Sequence, residues 1–306
     1  MTPLQKLMEI TRKITEQRLK PVVQVKLNND VERQYRGQLF ALIRLMAEAV
    51  ADEILPVLKQ EHQNFTADHD FMDVWSDRIL TALARAATKF TTAIFEQQIK
   101  RLAASTISMA EAATTSAFLK SVNKAVGVDL ARVISNEGIT DYVSLAVEEN
   151  VNLIKSIQTT YFDRVQSTVL NGVRTGAHPT KIAKQLSELT GVTQQRAKII
   201  ARDQMAKINS DIMSKRQQQS GISYFKWITS KDRRVSGNPT GEYPTAKIKC
   251  YEIAKMDVGF GPGVFKWSAG AKYGGESKLY PGRAHINCRC TASPVFEWEL
   301  PASKKR

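Results

Sequence analysis

The sequence predicts a mainly α protein: a long amino-terminal helical region followed by a small, loop-rich α+β carboxyl-terminal module. Two observations carry this. Apolar residues recur at three- and four-residue spacing through most of the first 220 positions, the period of one helix face. At Gly221 the character changes: "ISYFKWIT" is aromatic and β-branched, and the segments after it ("SGNPTGEYP", "GFGPG", "YGGES", "YPG") are dense in Gly and Pro. With 306 residues, 42% of them hydrophobic, the chain can bury real cores and has room for two or three domains.

The first 30 residues contain Pro3 and Pro21 and read as an amino-terminal arm with one short helix. From residue 31 a helix is expected in which Tyr35, Leu39, Leu42, Met46 and Ala49 share one face, kinked or ended by Pro56. A second apolar stripe runs through Phe71, Trp75, Ile79, Leu83, Ala86, Phe90 and Ile94, with Asp68 and Asp70 where a helix start favours carboxylates. Both stripes are core packing. A third helix carries Ile154, Ile157, Tyr161, Val165 and Val169 and runs toward "NGVRTG", where Gly172 and Gly176 are terminators. Two short helices then follow, one after Pro179 and Thr180, the other capped by Thr193 before "QQRAKIIARDQMAKINSDIMSKRQQQ". Strands are expected at "ISYFKWIT" and "CRCTASPVFEW". The expected division is an arm at 1–30, a helical docking region at 31–220, a basic α+β module at 221–300 and a basic tail at 301–306.

The net charge of +14 is uneven. Residues 1–195 hold 23 Lys and Arg against 21 Asp and Glu, whereas residues 196–306 hold 21 against 9. The basicity of the last third points to a polyanion, most commonly nucleic acid, or else to a solvated basic surface. A phosphate-contacting set would comprise Lys231, Arg233, Arg234, Lys247, Lys249, Arg283 and Arg289, binding DNA without sequence preference. Three cysteines and an opening (MTPLQKLMEITRK) without a signal-peptide pattern argue against secretion and a disulfide framework. The most apolar stretch, "FALIRLMAEAVADEILPVL", is interrupted by Arg44, Glu48, Asp52 and Glu53, so no membrane span is expected.

Catalytic signatures are thin. No "GxxxxGK[ST]" occurs, and "GFGPGV" lacks the third glycine and the preceding strand of a dinucleotide site. Glu297 and Glu299, with "ITS" at 228–230, resemble elements of mono-ADP-ribosyltransferases, but Glu-x-Glu is a common accidental pattern. Cys288 or Cys290 as a nucleophile would need a base and an orienting group, and only His285 stands near in sequence. The chain is expected not to be an enzyme.

"PGRAHINCRC", residues 281–290, concentrates chemistry: a histidine and two of the three cysteines within six residues. Cys288 and Cys290 leave the same face of an extended strand, and His285 can reach back from a turn at Pro281 and Gly282. With Cys250, the third cysteine, they would make a Cys3His set for a structural zinc. Buried packing and a redox or catalytic thiol are the other readings of the same residues.

Several segments in order, "ENVNLIKSIQTTYFDRVQSTVLNGVRTG", "IAKQLSELTGVTQQRAKIIARDQMAKINSDIMSKRQQQSGISYFKWITSKDRRV" and "PGRAHINCRCTASPV", resemble the Mu F-like family of phage head morphogenesis (minor head) proteins. The resemblance covers about residues 148–236 and 281–295. One departure is visible: the family usually continues from "DxRVR" to a nearby histidine and an "LxG" turn, whereas Val235 here is followed by "SGNPTGEYPTAKIKCYEIA", without histidine, which puts Cys250 forward as a substitute. The resemblance implies a low-copy virion protein of the head interior, at the portal vertex, made in the host cytoplasm. Its implied partners are the portal protein, other capsid or scaffold proteins and phage DNA. Related modules are fused to toxin domains in bacteria; with the chain ending at residue 306, no further effector is expected. The competing readings are a virion-carried enzyme or effector, such as an ADP-ribosyltransferase-like protein, and a stand-alone DNA-binding protein.

Overall fold

The computed structural model describes residues 29–65, 72–127, 129–132, 134 and 138–301. The arm before Asn29, the carboxylates Asp68 and Asp70, Phe71, the side chain of Trp75 and the tail after Pro301 lie outside the described residues. Five long helices come first: α1 Asn29–Phe65, α2 Met72–Thr88, α3 Ala93–Val126, α4 Ile139–Arg174 and α5 Pro179–Gln219. After them come β1 Tyr224–Ile228, the single turn α6 Cys250–Ile253, β2 Val264–Lys266, β3 Ala271–Tyr273, β4 Glu276–Leu279 and β5 Thr291–Val295.

The chain forms two compact units. One comprises Glu32–Thr106 and Leu145–Ala201, and its regular elements among the described residues are all helices. Tyr35, Leu39, Leu42, Met46 and Ala49 are all buried on α1, as their spacing predicts. Pro56 does not end α1, which continues to Phe65. The ring removes one helical hydrogen bond, while Ile54 and Leu58 on either side stay buried and hold the segment. On α2, Ile79, Leu83 and Ala86 are buried, but the stripe does not run on to Ile94, which is 72% exposed because α2 stops at Thr88. Phe90 turns inward between α2 and α3, edge-on to Phe95, and its carbonyl accepts from Gln158 Nε2 at 2.7 Å.

On α4, Ile154, Ile157, Tyr161, Val165 and Val169 are buried. Gly176, at φ +64°, ends the helix: its N–H bonds to the Val173 carbonyl, and that of Ala177 bonds to the Gly172 carbonyl at 2.8 Å. This is the paired 6→1 and 5→2 pattern of a glycine C-cap. Gly172 is not a terminator. It lies within α4, and a Cβ there would stand 2.7 Å from Ile182 Cγ1, so the missing side chain lets α5 approach. The two short helices expected after residue 179 are one 41-residue helix, α5. Gly191 adopts a helical φ, and Thr193 does not cap: its hydroxyl donates back to the Leu189 carbonyl at 2.9 Å. One glycine costs a helix about 1 kcal/mol, a small term beside the buried face carrying Ile182, Leu186, Ala197 and Ala201.

The other unit comprises Ile107–Ser144 and Arg202–Arg306, so the change of secondary structure near residue 220 is not a boundary between compact units. Phe118, Val122 and Met213 from the helices share one core with Phe225, Trp227, Phe265 and Trp267. The sheet is antiparallel, in the order β2-β1-β5, with Phe225 opposite both Phe265 and Pro294 and Trp227 opposite Ala292. Pro294 is tolerated because β5 is an edge strand. Gln217 locks helix to sheet: its Oε1 accepts from Trp267 Nε1 at 3.0 Å and its Nε2 donates to the Ala292 carbonyl at 3.3 Å. "YGGE" is a two-residue hairpin turn joining β3 and β4, with Gly274 and Gly275 both at positive φ. The second expected strand ends at Val295. Glu297–Glu299 is a 3-10 turn in which the Glu299 carboxylate accepts from the Phe296 N–H at 2.8 Å, so Glu297 and Glu299 do not line a strand face.

Candidate functional site

Helix α5 anchors the segment 281–290 along one side. Gly282, at φ +82°, lies so close that an added Cβ would stand 2.8 Å from the Ala206 carbonyl. The Ser210 hydroxyl donates to the Pro281 carbonyl, and Arg283 pairs with Asp211. Asn287, in the left-handed region at φ +61°, donates its N–H to Asp203 Oδ1 at 2.9 Å, and Lys207 pairs with the same carboxylate at 2.7 Å. The "PG" of "PGRAHINCRC" is therefore the pair that lets the loop lie against a helix. Between these anchors the Cys288 N–H closes a turn on the His285 carbonyl at 3.1 Å, which holds both side chains toward the interior.

Opposite them stands Cys250, first residue of α6. Its Sγ lies 3.3 Å from His285 Nε2 and 3.8 Å from Cys288 Sγ. Ser236 braces the pair: its hydroxyl oxygen accepts from the Cys250 N–H at 3.1 Å and stands 3.0 Å from His285 Nε2. His285 Nδ1 lies 2.8 Å from the Ile286 carbonyl and donates to it. Cys250 and Cys288 are buried and His285 is half-buried. Hydrogen bonds that the protonated ring donates to the sulfurs of Cys250 and Cys288 raise the His285 pKa to about 11, against the opposing effect of burial. The Cys250 and Cys290 thiols pull the Cys288 thiol well below its ordinary range.

Of the four residues the sequence proposed for a metal, Cys250, His285 and Cys288 have their donor atoms within 4.8 Å of one another. Cys290 is also buried and its thiol interacts with those of Cys250 and Cys288, but it stands outside that set.

The histidine forms part of the wall of a cleft of about 640 Å³. Arg234, Lys247 and Arg289 of the expected phosphate-contacting set line it, together with Arg202. Arg202 was not among the residues singled out from sequence, because on α5 it is one basic position among many and only the fold shows which face meets the loops. Arg289 pairs with Asp232, whose carboxylate also stands 3.6 Å from Arg234. Desolvation opposes the charge on Asp232, but the Arg289 and Arg234 contacts outweigh it and hold its pKa below the usual carboxylate range. The remaining members do not line the cleft. Lys249 pairs with Glu252 at 3.1 Å, Arg283 pairs with Asp211, and Lys231 and Arg233 lie exposed in the turn after β1. Lys247, although at the cleft, also pairs with Glu276 at 2.8 Å.

Comparison with known proteins bears on this region. An uncharacterized protein of Haemophilus influenzae is 28% identical over 227 residues, covering 73% of this chain and 48% of the relative, so the chain spans about half of that protein's length. No solved structure matches. Residues 163–293, from within α4 through the helix anchors, the basic cleft and the Cys/His cluster to β5, match the family described as phage Mu protein F like protein.

Proposed function

We propose that the chain is a phage minor head protein that acts in head morphogenesis as a structural component rather than a catalyst. The observation that carries this reading is the family match over residues 163–293. The portal protein is its main partner, with other capsid or scaffold proteins around it, and it resides in the head interior at the portal vertex after assembly in the host cytoplasm. The helices before residue 220 provide the docking surface. Exposed apolar side chains there, among them Leu45, Ile94, Leu145 and Ile199, are the kind that helix-in-groove contacts cover. No helix among the described residues is long and apolar enough to cross a membrane.

The basic cleft contacts the backbone of packaged DNA. Arg202, Arg234, Lys247 and Arg289 converge there, within the last third that carries most of the net positive charge. Co-expression of the full chain with the portal protein tests the assignment. Co-purification that persists at high salt and is lost when Leu45 and Ile199 are changed to Asp is expected. Absence of any complex with portal or capsid proteins would count against it. The full chain is needed, because cutting at residue 220 would part Phe118 and Met213 from Phe225 and Trp267 in one core.

A further inference from the structure

We propose that Cys250, His285 and Cys288, with Cys290 as the fourth ligand, form a tetrahedral zinc site that ties α6 to the loop before β5. The inference is independent of the head-morphogenesis reading.

Geometry carries it. Around a tetrahedral zinc with Zn–S of about 2.3 Å and Zn–N of about 2.0–2.1 Å, two sulfurs stand about 3.8 Å apart and a sulfur and a nitrogen about 3.6 Å apart. The corresponding separations here are 3.8 Å between Cys250 and Cys288 and 3.3 Å between Cys250 and His285. The sulfur–sulfur edge of the coordination polyhedron is therefore already formed, and the sulfur–nitrogen edge is within about 0.3 Å of its length. The second shell is also in place. The Nδ1–H of His285 is committed to the Ile286 carbonyl, which leaves Nε2, the nitrogen facing the sulfurs, to coordinate. The Cys250 backbone is fixed by Ser236, and the His285–Cys288 turn is pinned to α5 through Asp203 and Ser210. Cys290, two residues beyond Cys288, is buried and its thiol interacts with those of Cys250 and Cys288, which makes it the candidate for the fourth position.

The donor set selects the ion. Three thiolates and one imidazole in tetrahedral array suit zinc, and a fully ligated site is structural. Thiolate ligands form by loss of the thiol protons, so affinity rises with pH. The site would join residues 35 to 40 positions apart within a segment rich in turns, where a covalent-strength link adds rigidity that its short strands cannot supply.

The test uses the full chain purified without chelator. Elemental analysis should find about one equivalent of zinc, and cobalt(II) added to the stripped protein should give intense tetrahedral d–d bands with thiolate-to-metal charge transfer. Cys288→Ser should weaken cobalt binding at least about tenfold, and Cys290→Ser should retain cobalt while lowering the charge-transfer intensity by about a third. Should Cys288→Ser not fold, the cobalt spectrum of the wild type alone decides. Less than about a tenth of an equivalent after zinc loading, or weak octahedral cobalt bands without charge transfer, would overturn the proposal. An unchanged spectrum for Cys290→Ser would overturn the assignment of the fourth ligand.

Discussion

Arg216 on α5 meets Glu111 on α3 at 2.7 Å, with the arginine side chain only 3% exposed. Its Nε also donates to the Thr115 hydroxyl at 2.9 Å, and Thr115 in turn bonds Glu111. A charge this deep is tolerable only while its partner stays. Glu111→Leu should therefore destabilise the protein by about 2 to 4 kcal/mol, whereas Arg216→Met, which removes the buried charge, should cost less. Denaturant melts of both variants check this. Equal losses would mean that the pair acts by packing alone.

Gly282 sits at φ +82° with the Ala206 carbonyl where a Cβ would go, and that carbonyl belongs to helix backbone, which cannot swing aside. Gly282→Ala should cost about 2 kcal/mol or more through combined strain and overpacking. It should also loosen the loop that holds His285 and Cys288, lowering metal affinity in the same variant. Hydrogen exchange at the Cys288 amide, bonded to the His285 carbonyl, reads the loosening directly.

How much of this was legible in the sequence differs from element to element. The stripes on α1 and α4 were plain, because large apolar residues at helical spacing have one way to be buried. Helix α3 left no such mark. Its inward positions include Thr106, Thr114 and Ser121, small polar residues that pack closely or bond across the helices, as Thr114 does to Asn209 at 2.6 Å. Gly191 and Thr193 looked like a helix break because a glycine beside a hydroxyl residue usually is one, and only the buried face running through them overrides it. At the site, "PGRAHINCRC" announced three donors through residue type alone. Cys250 is the expected partner as the third cysteine, and the structure brings it to His285 and Cys288, although the crossing of 35 residues that does so is encoded by no local pattern. The pairing of the basic residues with carboxylates was likewise invisible, since Asp232 and Asp211 carry no mark in the sequence that ties them to Arg289 and Arg283.

Two glycines within long helices make opposite predictions. Gly191 has open space around the position of a Cβ and a helical φ, so Gly191→Ala should stabilise by about 0.5 to 1 kcal/mol. At Gly172 a Cβ would stand 2.7 Å from Ile182 Cγ1, so Gly172→Ala should destabilise by about 1 to 3 kcal/mol. Pairing Gly172→Ala with Ile182→Val should recover part of the loss, and thermal melts of the three variants give the comparison.

The cleft makes the last prediction, on DNA. With about 4 to 6 phosphates neutralised, log K for non-specific duplex should fall with log salt at a slope of about −4 to −5. Asp232 lies between Arg289 and Arg234 and competes with phosphate for both guanidinium groups. Asp232→Asn should thus tighten DNA binding at low salt and steepen the slope, because groups now held by a carboxylate become available to exchange counterions. Arg289→Gln should act the other way, weakening binding equally on unrelated sequences and reducing the slope by about 1. Arg283→Gln serves as the contrast: Arg283 is paired with Asp211 and does not line the cleft, so its loss should change the slope little. Fluorescence anisotropy at several salt concentrations measures all four proteins. A slope near zero for the wild type, or the same slope in Arg289→Gln as in Arg283→Gln, would remove the cleft as the DNA contact.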